Sequence, residues 1–266
     1  MQEIKSEQAL TVPRPTPGGA AAEGLAEIEA LNTLLAEVPD DEWQRPTASA
    51  GWTVRDVVAH LVGQHVGSAR PWTVPGELRR ARRRFPGRST LDGHNASQIL
   101  EYGRCTPDEL RWLLARFGPK AVRARRRAPG LVRRRNFACY FPEEQFPDQT
   151  FAYLFDVLSN RDTWMHRLEI ARATRRPFVT GEHDRRIVAQ VLRDLAVTWS
   201  GPPITLVLTG SSGGIWTLGE GELVAVVRIE TFGYLWHLSG RDGQPTLDID
   251  GDSTVADAVL AARVVF

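Results

Sequence analysis

Asp162, His166 and Glu169 are spaced by four and then three residues, which on an α-helix stacks side chains on one side of the cylinder. Phe151, Phe155, Leu158 and Ala173 fall on the same stripe. A carboxylate, an imidazole and a second carboxylate are therefore expected to point toward a core. Burying an unpaired carboxylate costs on the order of several kcal/mol, so these groups must pair with arginine, share hydrogen bonds or bind a metal. Asp162 and His166 have the four-residue spacing that brings two ligands to one ion. A third ligand must come from another segment, where Val54, Val58, Leu61 and Val62 mark an apolar stripe with His65 near its centre. His60 lies on the shoulder of that stripe, beside Val57 and Gln64. The two histidines are about 140° apart on one helix, so one ion is not expected to take both. Periodicity alone favours His65.

The elements that must position these groups follow from periodicity and punctuation. Ala20–Val38 carries Leu25, Ile28, Leu31, Leu34 and Leu35 at helical steps, with Glu23, Glu27 and Glu29 between them, an amphipathic helix. Thr53 is expected to cap a second helix from Val54 to about Ser68. Pro75, Gly76, Pro86, Gly87 and Gly93 interrupt the next stretch, leaving a short basic helix, a loop containing His94, and a helix from Asn95 to Tyr102. Thr106-Pro107-Asp108-Glu109 opens a helix ending near Gly118. Asp148 is expected to cap a long helix to about Thr174, and His183–Trp199 makes one more. Beyond Pro203 the period shortens: Ile204–Leu208, Ile215–Leu218, Leu223–Val227 and Thr246–Ile249 read as strands, with helices over Glu230–Leu238 and Ser253–Val265. The fold class is α+β, with a flexible tail over 1–19, a helical bundle over 20–200 and a small α/β domain over 203–266.

The chain has 266 residues, 42% hydrophobic and 24% charged, and no apolar run long enough to span a bilayer, which excludes a disordered or membrane-spanning chain. The polar Met1–Gly19 segment has no apolar signal region, so a cytoplasmic location is expected. Two cysteines, Cys105 and Cys139, are too few for a disulfide framework or a four-cysteine zinc site. Any metal must be held by His, Asp or Glu. The net charge of +1 hides a basic middle, 18 Lys/Arg against 5 Asp/Glu from Arg70 to Arg135. No nucleic-acid recognition signature accompanies it, so it reads as a solvated face that steers an anionic substrate. Arginine outnumbers lysine, present only as Lys5 and Lys120, as in chains from GC-rich genomes.

Two motifs carry a resemblance. Gly51-Trp52-Thr53-Val54-Arg55-Asp56-Val57-Val58-Ala59-His60-Leu61 is followed about a hundred residues later by Asn160-Arg161-Asp162-Thr163-Trp164-Met165-His166-Arg167-Leu168-Glu169-Ile170-Ala171. The pair resembles the mycothiol-dependent maleylpyruvate isomerase family, within the DinB-like superfamily. The resemblance implies a four-helix bundle holding a divalent metal, usually zinc, on His60, Asp162 and His166, with His65 left as a packed core residue. It also implies a C-terminal unit similar to sterol carrier proteins. The isomerase has Glu where this chain has Asp162, and relatives commonly have Asp where Glu169 stands, so Glu169 is expected to support a ligand, substitute for one or act in catalysis.

Three protein ligands leave zinc an open position, the mark of a catalytic site, where a thiol loses its proton near neutral pH. The family's thiol is mycothiol, made by actinobacteria, in agreement with the composition. Leu235-Trp236-His237-Leu238-Ser239-Gly240-Arg241 resembles the family segment whose arginine holds an acidic substrate, which assigns that role to Arg241. The expected activity is addition or transfer of mycothiol to an electrophilic small molecule, in an S-transferase or cis-trans isomerase that is a monomer or homodimer. The alternatives are a lipid or small-molecule carrier with a structural metal, and a metal-assisted hydrolase with Glu169 as general base.

Overall fold

The structure, a computed structural model, describes residues 6–266. Its described residues divide into two compact units, Pro15–Val179 and a second formed by residues 6–14 with Thr180–Phe266. Among the described residues no helix is long and apolar enough to cross a membrane.

The helical unit is built on α1 (Pro17–Ala36), α2 (Val54–Ala69), α5 (Pro107–Arg127) and α8 (Ser159–Ala173), with α4 (Thr90–Tyr102) packed on α2 and α3 (Val74–Arg84) packed on α4. Local signals fix the starts of these helices. Thr16 accepts from Gly19 N ahead of Pro17, while Thr53–Asp56 and Thr106–Glu109 form reciprocal capping boxes, each satisfying amide groups that a helix start leaves free. Leu31, Leu35, Trp43, Val58, Leu61, Leu110 and Leu114 are all fully buried in one core. α5 runs past its expected end at Gly118 and through Pro119. A side chain at Gly118 would come within 2.9 Å of Ile28, so that glycine serves the close approach of α1 and is no helix stop. α4 starts five residues earlier than expected, at a Ser89 cap, which places His94 inside a helix. A short helix, α6 (Gly130–Arg133), follows α5.

The long helix expected from Asp148 is three segments: α7 (Phe151–Tyr153), a π-helical turn over Leu154–Leu158, and α8. Its cap is Thr150, whose hydroxyl accepts from Tyr153 N, while Asp148 accepts from Thr150 N. The π turn adds a residue to the helical circuit, so the phenylalanine stripe does not continue onto Asp162. α8 is buried on most of its circumference, as befits the central helix of a bundle.

In the second unit five strands form one sheet in the order β1-β3-β2-β4-β5, with β1 Glu7–Gln8, β2 Ile204–Thr209, β3 Gly214–Leu218, β4 Ala225–Glu230 and β5 Asp248–Gly251. β2 pairs in parallel with β4 and antiparallel with β3, and β1 adds a short parallel edge to β3. Burial alternates along β2 and β4, the pattern of a sheet covered on one face. The helices of this unit are α9 (Glu182–Thr198), α10 (Thr231–Leu238), which packs on β4, and α11 (Val255–Ala261).

The unit boundaries differ from those expected. α9 clusters with the sheet, and residues 6–14 of the expected tail are built into the same unit; residues 1–5 lie outside the described residues. Arg14 pairs with buried Asp194 of α9 at 2.6 Å, and Gln190 donates to Pro13 O at 2.9 Å. A polar composition had suggested a free tail, but these polar groups have partners far along the chain.

Candidate metal centre

His60 and Gln64 are one turn apart on α2, and Asp162 and His166 one turn apart on α8. Packing of α2 against α8 brings ligand-type atoms of His60, Asp162 and His166 within 4.8 Å of one another. His60 Nε2 lies 3.7 Å from Asp162 Oδ2, and His166 Nε2 lies 3.6 Å from Asp162 Oδ1. Those separations exceed a good hydrogen bond. Two ligands at tetrahedral zinc stand about 3.3 Å apart, so a contraction of a few tenths of an ångström suits these pairs to a small cation. Both histidines are nearly fully buried, and the Asp162 side chain is 21% exposed.

The outward nitrogen of each imidazole is engaged. His166 Nδ1 is 2.9 Å from Glu169 Oε2, and His60 Nδ1 is 2.8 Å from Gln98 Oε1. Both partners accept, so both Nδ1 atoms donate, and in the neutral rings both Nε2 atoms present a lone pair toward Asp162. Gln64 Nε2 donates to Asp162 Oδ2 at 2.7 Å. Burial pushes the Asp162 carboxyl up, but a positive charge on His166 and His60 when those rings are protonated, together with the Gln64 amide, outweighs it and holds the group well below the usual carboxylate range. Three lone-pair-bearing groups that face one another need a positive charge among them, which a proton or a metal ion can supply.

Glu169 is buried, with its second oxygen accepting from Ser49 N at 2.5 Å. Ser49 belongs to a turn closed by Trp52 N donating to Ser49 O, and Gly51 holds φ +78° there, a left-handed conformation suited to glycine. The same turn delivers the Trp52 ring, whose centroid is 5.4 Å from that of His60 and 6.1 Å from that of His166, nearly parallel to the latter.

His65 is wholly buried, and neither ring nitrogen has a hydrogen-bond partner. Burial, then the charge of Arg125, lowers its pKa to about 3. Arg241 follows α10 in the second unit, its guanidinium 5.5 Å from the centre of the Trp236 ring. Cys105 and Cys139 are free thiols, and burial pushes Cys105 up. The basic middle is not wholly a solvated face: Arg125 and Arg133 are buried, and Arg133 pairs with buried Asp156.

The sequence reading assigned no role to Trp52, Gln64, Gln98 or the Ser49 amide. Gln64 is detectable as the i+4 neighbour of His60, and Trp52 lies inside the first motif. Gln98 falls within the helix expected over Asn95–Tyr102, but no local spacing ties it to His60, because the contact is made between two helices.

A bundle that buries a His–Asp–His cluster, together with a separate sheet unit, defines an α+β protein with a candidate metal-centred site. The chain belongs to the family of the mycothiol maleylpyruvate isomerase N-terminal domain, whose model matches residues 25–171. Two Mycobacterium tuberculosis proteins, Uncharacterized protein MT0041 and Uncharacterized protein Rv0036c, are each 24% identical to it over 94% of this chain and 96% of their own length. Crystal structures of the mycothiol-dependent maleylpyruvate isomerase, one of them a histidine-to-alanine mutant, superpose with a TM-score of 0.57 at 15% identity, covering 91% of this chain and 95% of theirs. At that identity the likeness concerns the fold.

Proposed function

We propose that this chain is a metal-dependent enzyme that adds or transfers a low-molecular-weight thiol, mycothiol, to an electrophilic small molecule, with His60, Asp162 and His166 as the metal ligands. The observation that carries this reading is the convergence of two imidazole lone pairs on an ionised carboxylate, with each imidazole's other nitrogen already committed outward. The donor set, two histidines and one carboxylate, is that of a catalytic zinc site with a vacancy. A divalent cation held there supplies a Lewis acid that lowers the pKa of a bound thiol.

The protein's own groups then divide the remaining work. Glu169 and Gln98 set the tautomers of His166 and His60, Gln64 fixes one oxygen of Asp162, and Trp52 covers the imidazole faces. In this reading Glu169 is a positioning carboxylate: its oxygens are spent on His166 and Ser49, which disfavours a role as general base in hydrolysis. Arg241, with a permanently charged planar fork, is assigned to orient a substrate carboxylate. Thiolate addition followed by departure of the same thiolate isomerises a double bond; addition with loss of a leaving group is S-transfer.

The test joins elemental analysis to turnover with and without mycothiol. The purified chain is expected to carry one equivalent of divalent metal, zinc first, and His166→Ala to carry none. Full occupancy in His166→Ala refutes the ligand set, and turnover indifferent to the thiol refutes thiol dependence in favour of hydrolysis.

A further inference from the structure

The two histidines of the cluster are backed differently. Glu169, behind His166, comes from the same helix three residues on, whereas His60 is backed from another helix by the neutral amide of Gln98. Gln98 is buried on α4, and its Nε2 lies 3.1 Å from His94 Nε2. An amide has an accepting end and a donating end. With Nε2 donating to His94, Oε1 faces His60 and can only accept, so the His60 proton is confined to Nδ1 and the lone pair to Nε2. Burial pushes His94 below the ordinary histidine pKa, toward the neutral ring, whose Nδ1–H tautomer leaves Nε2 to accept from the Gln98 amide. The amide itself cannot titrate.

The seat of this amide is built into the backbone. Gly63 lies one residue before Gln64 on α2, and a Cβ there would meet Gln98 Cβ and Cγ at 2.6 Å. Those are the inner atoms of the glutamine stem, which cannot swing aside as a flexible tip can. α2 and α4 therefore approach closely where the Gln98 side chain crosses, and the missing side chain at Gly63 makes room for it.

We propose that Gln98, seated on Gly63 and held by His94, is a positioning residue that fixes His60 as its Nδ1–H tautomer and so presents Nε2 to the metal. This rests on the reading of His60, Asp162 and His166 as a metal site. The wiring asks for an acceptor behind His60 and does not require charge. A carboxylate at 98 would keep the acceptor and add a third negative group to Asp162 and Glu169. A leucine would remove the acceptor and leave the tautomer unfixed.

Competition of the purified protein with a chelator for Co²⁺ gives the affinity of wild type, Gln98→Leu and Gln98→Glu. Loss of a hydrogen-bond partner behind a metal-binding histidine costs about 10- to 100-fold in affinity, so Gln98→Leu is expected to bind Co²⁺ that much more weakly, while Gln98→Glu binds as tightly as wild type or more so. Wild-type affinity in Gln98→Leu, or equal losses in both variants, overturns the proposal. If Gln98→Leu fails to fold, the tautomer is read directly from two-bond ¹H–¹⁵N spectra of histidine-labelled, metal-free wild type: Nδ1–H at His60 supports the wiring and Nε2–H overturns it. Failure of wild type to bind Co²⁺ at all is a different result, which removes the metal site itself.

Discussion

Gln64 on α2 donates to Asp162 Oδ2 on α8 at 2.7 Å, tying the shorter of the two acidic side chains to the neighbouring helix. A carboxylate with one oxygen fixed this way can turn only its other oxygen, Oδ1, freely toward a ligand. The aspartate side chain is one methylene shorter than a glutamate, so its direction is set in part from outside α8. Gln64→Leu removes that restraint and leaves a burial-destabilised carboxylate with one donor fewer. Zinc affinity is expected to fall about 10-fold, measured by chelator competition; unchanged affinity would show that α8 alone orients Asp162.

Glu169→Gln looks conservative and is expected not to be. Glu169 accepts twice, from His166 Nδ1 and from Ser49 N, whereas glutamine accepts at one end and donates at the other. If its oxygen faces Ser49, its NH₂ faces His166 Nδ1 and drives the ring to the Nε2–H tautomer, which cannot ligate. If its oxygen faces His166, two donors meet at Ser49 in a buried site, at about 1–3 kcal/mol. Metal affinity is expected to drop about 10- to 100-fold together with a lower Tm. A variant with wild-type metal content and melting would remove Glu169 from its positioning role.

Legibility in the sequence followed the range of the interaction. The starts of α2 and α5 are written in four-residue capping boxes, and the Asp162–His166 spacing is a local property of one helix. Gly118 and Pro119 misled because a stop signal read locally was overridden by packing of α5 on Ile28. The π turn at Leu154–Leu158 has no period to detect, and it shifted the stripe on which Asp162 had been placed. His60 was set on a shoulder and His65 at the centre by apolar periodicity, which cannot tell a buried histidine with partners from one without. Glu23 and Glu27 lie between the apolar positions of an amphipathic helix, yet both are buried.

Glu27 supplies a stability prediction for that reason. Its two oxygens accept from Arg167 Nε at 2.7 Å and Nη2 at 3.0 Å, a bidentate pair joining α1 to the motif helix α8. Arg167 also lies over the Phe178 ring at 4.1 Å and donates to Val179 O. Removing one partner of a buried pair strands the other charge, so Glu27→Ala is expected to cost about 3–5 kcal/mol in urea unfolding. A loss below about 1 kcal/mol would mean that Arg167 finds adequate compensation elsewhere.

His65 should make the fold sensitive to acid. Its pKa is lowered from 6.5 to about 3 in the folded protein, so between those values the unfolded chain binds a proton that the native state does not. Stability then rises with pH across the window: it is complete above 6.5 and is lost as pH falls toward 3, at about 1.4 kcal/mol per pH unit. Both ring nitrogens lack partners, so replacing the ring with an apolar side chain forfeits no hydrogen bond and removes the desolvation cost of two polar atoms. His65→Leu is expected to equal or exceed wild-type stability at pH 7, with a gap that widens at pH 5 and again at pH 4. Urea titrations of the two proteins at the three pH values measure that gap directly. Parallel stability curves would mean that His65 is protonated as readily inside the bundle as outside it, through a partner that relieves its burial in solution.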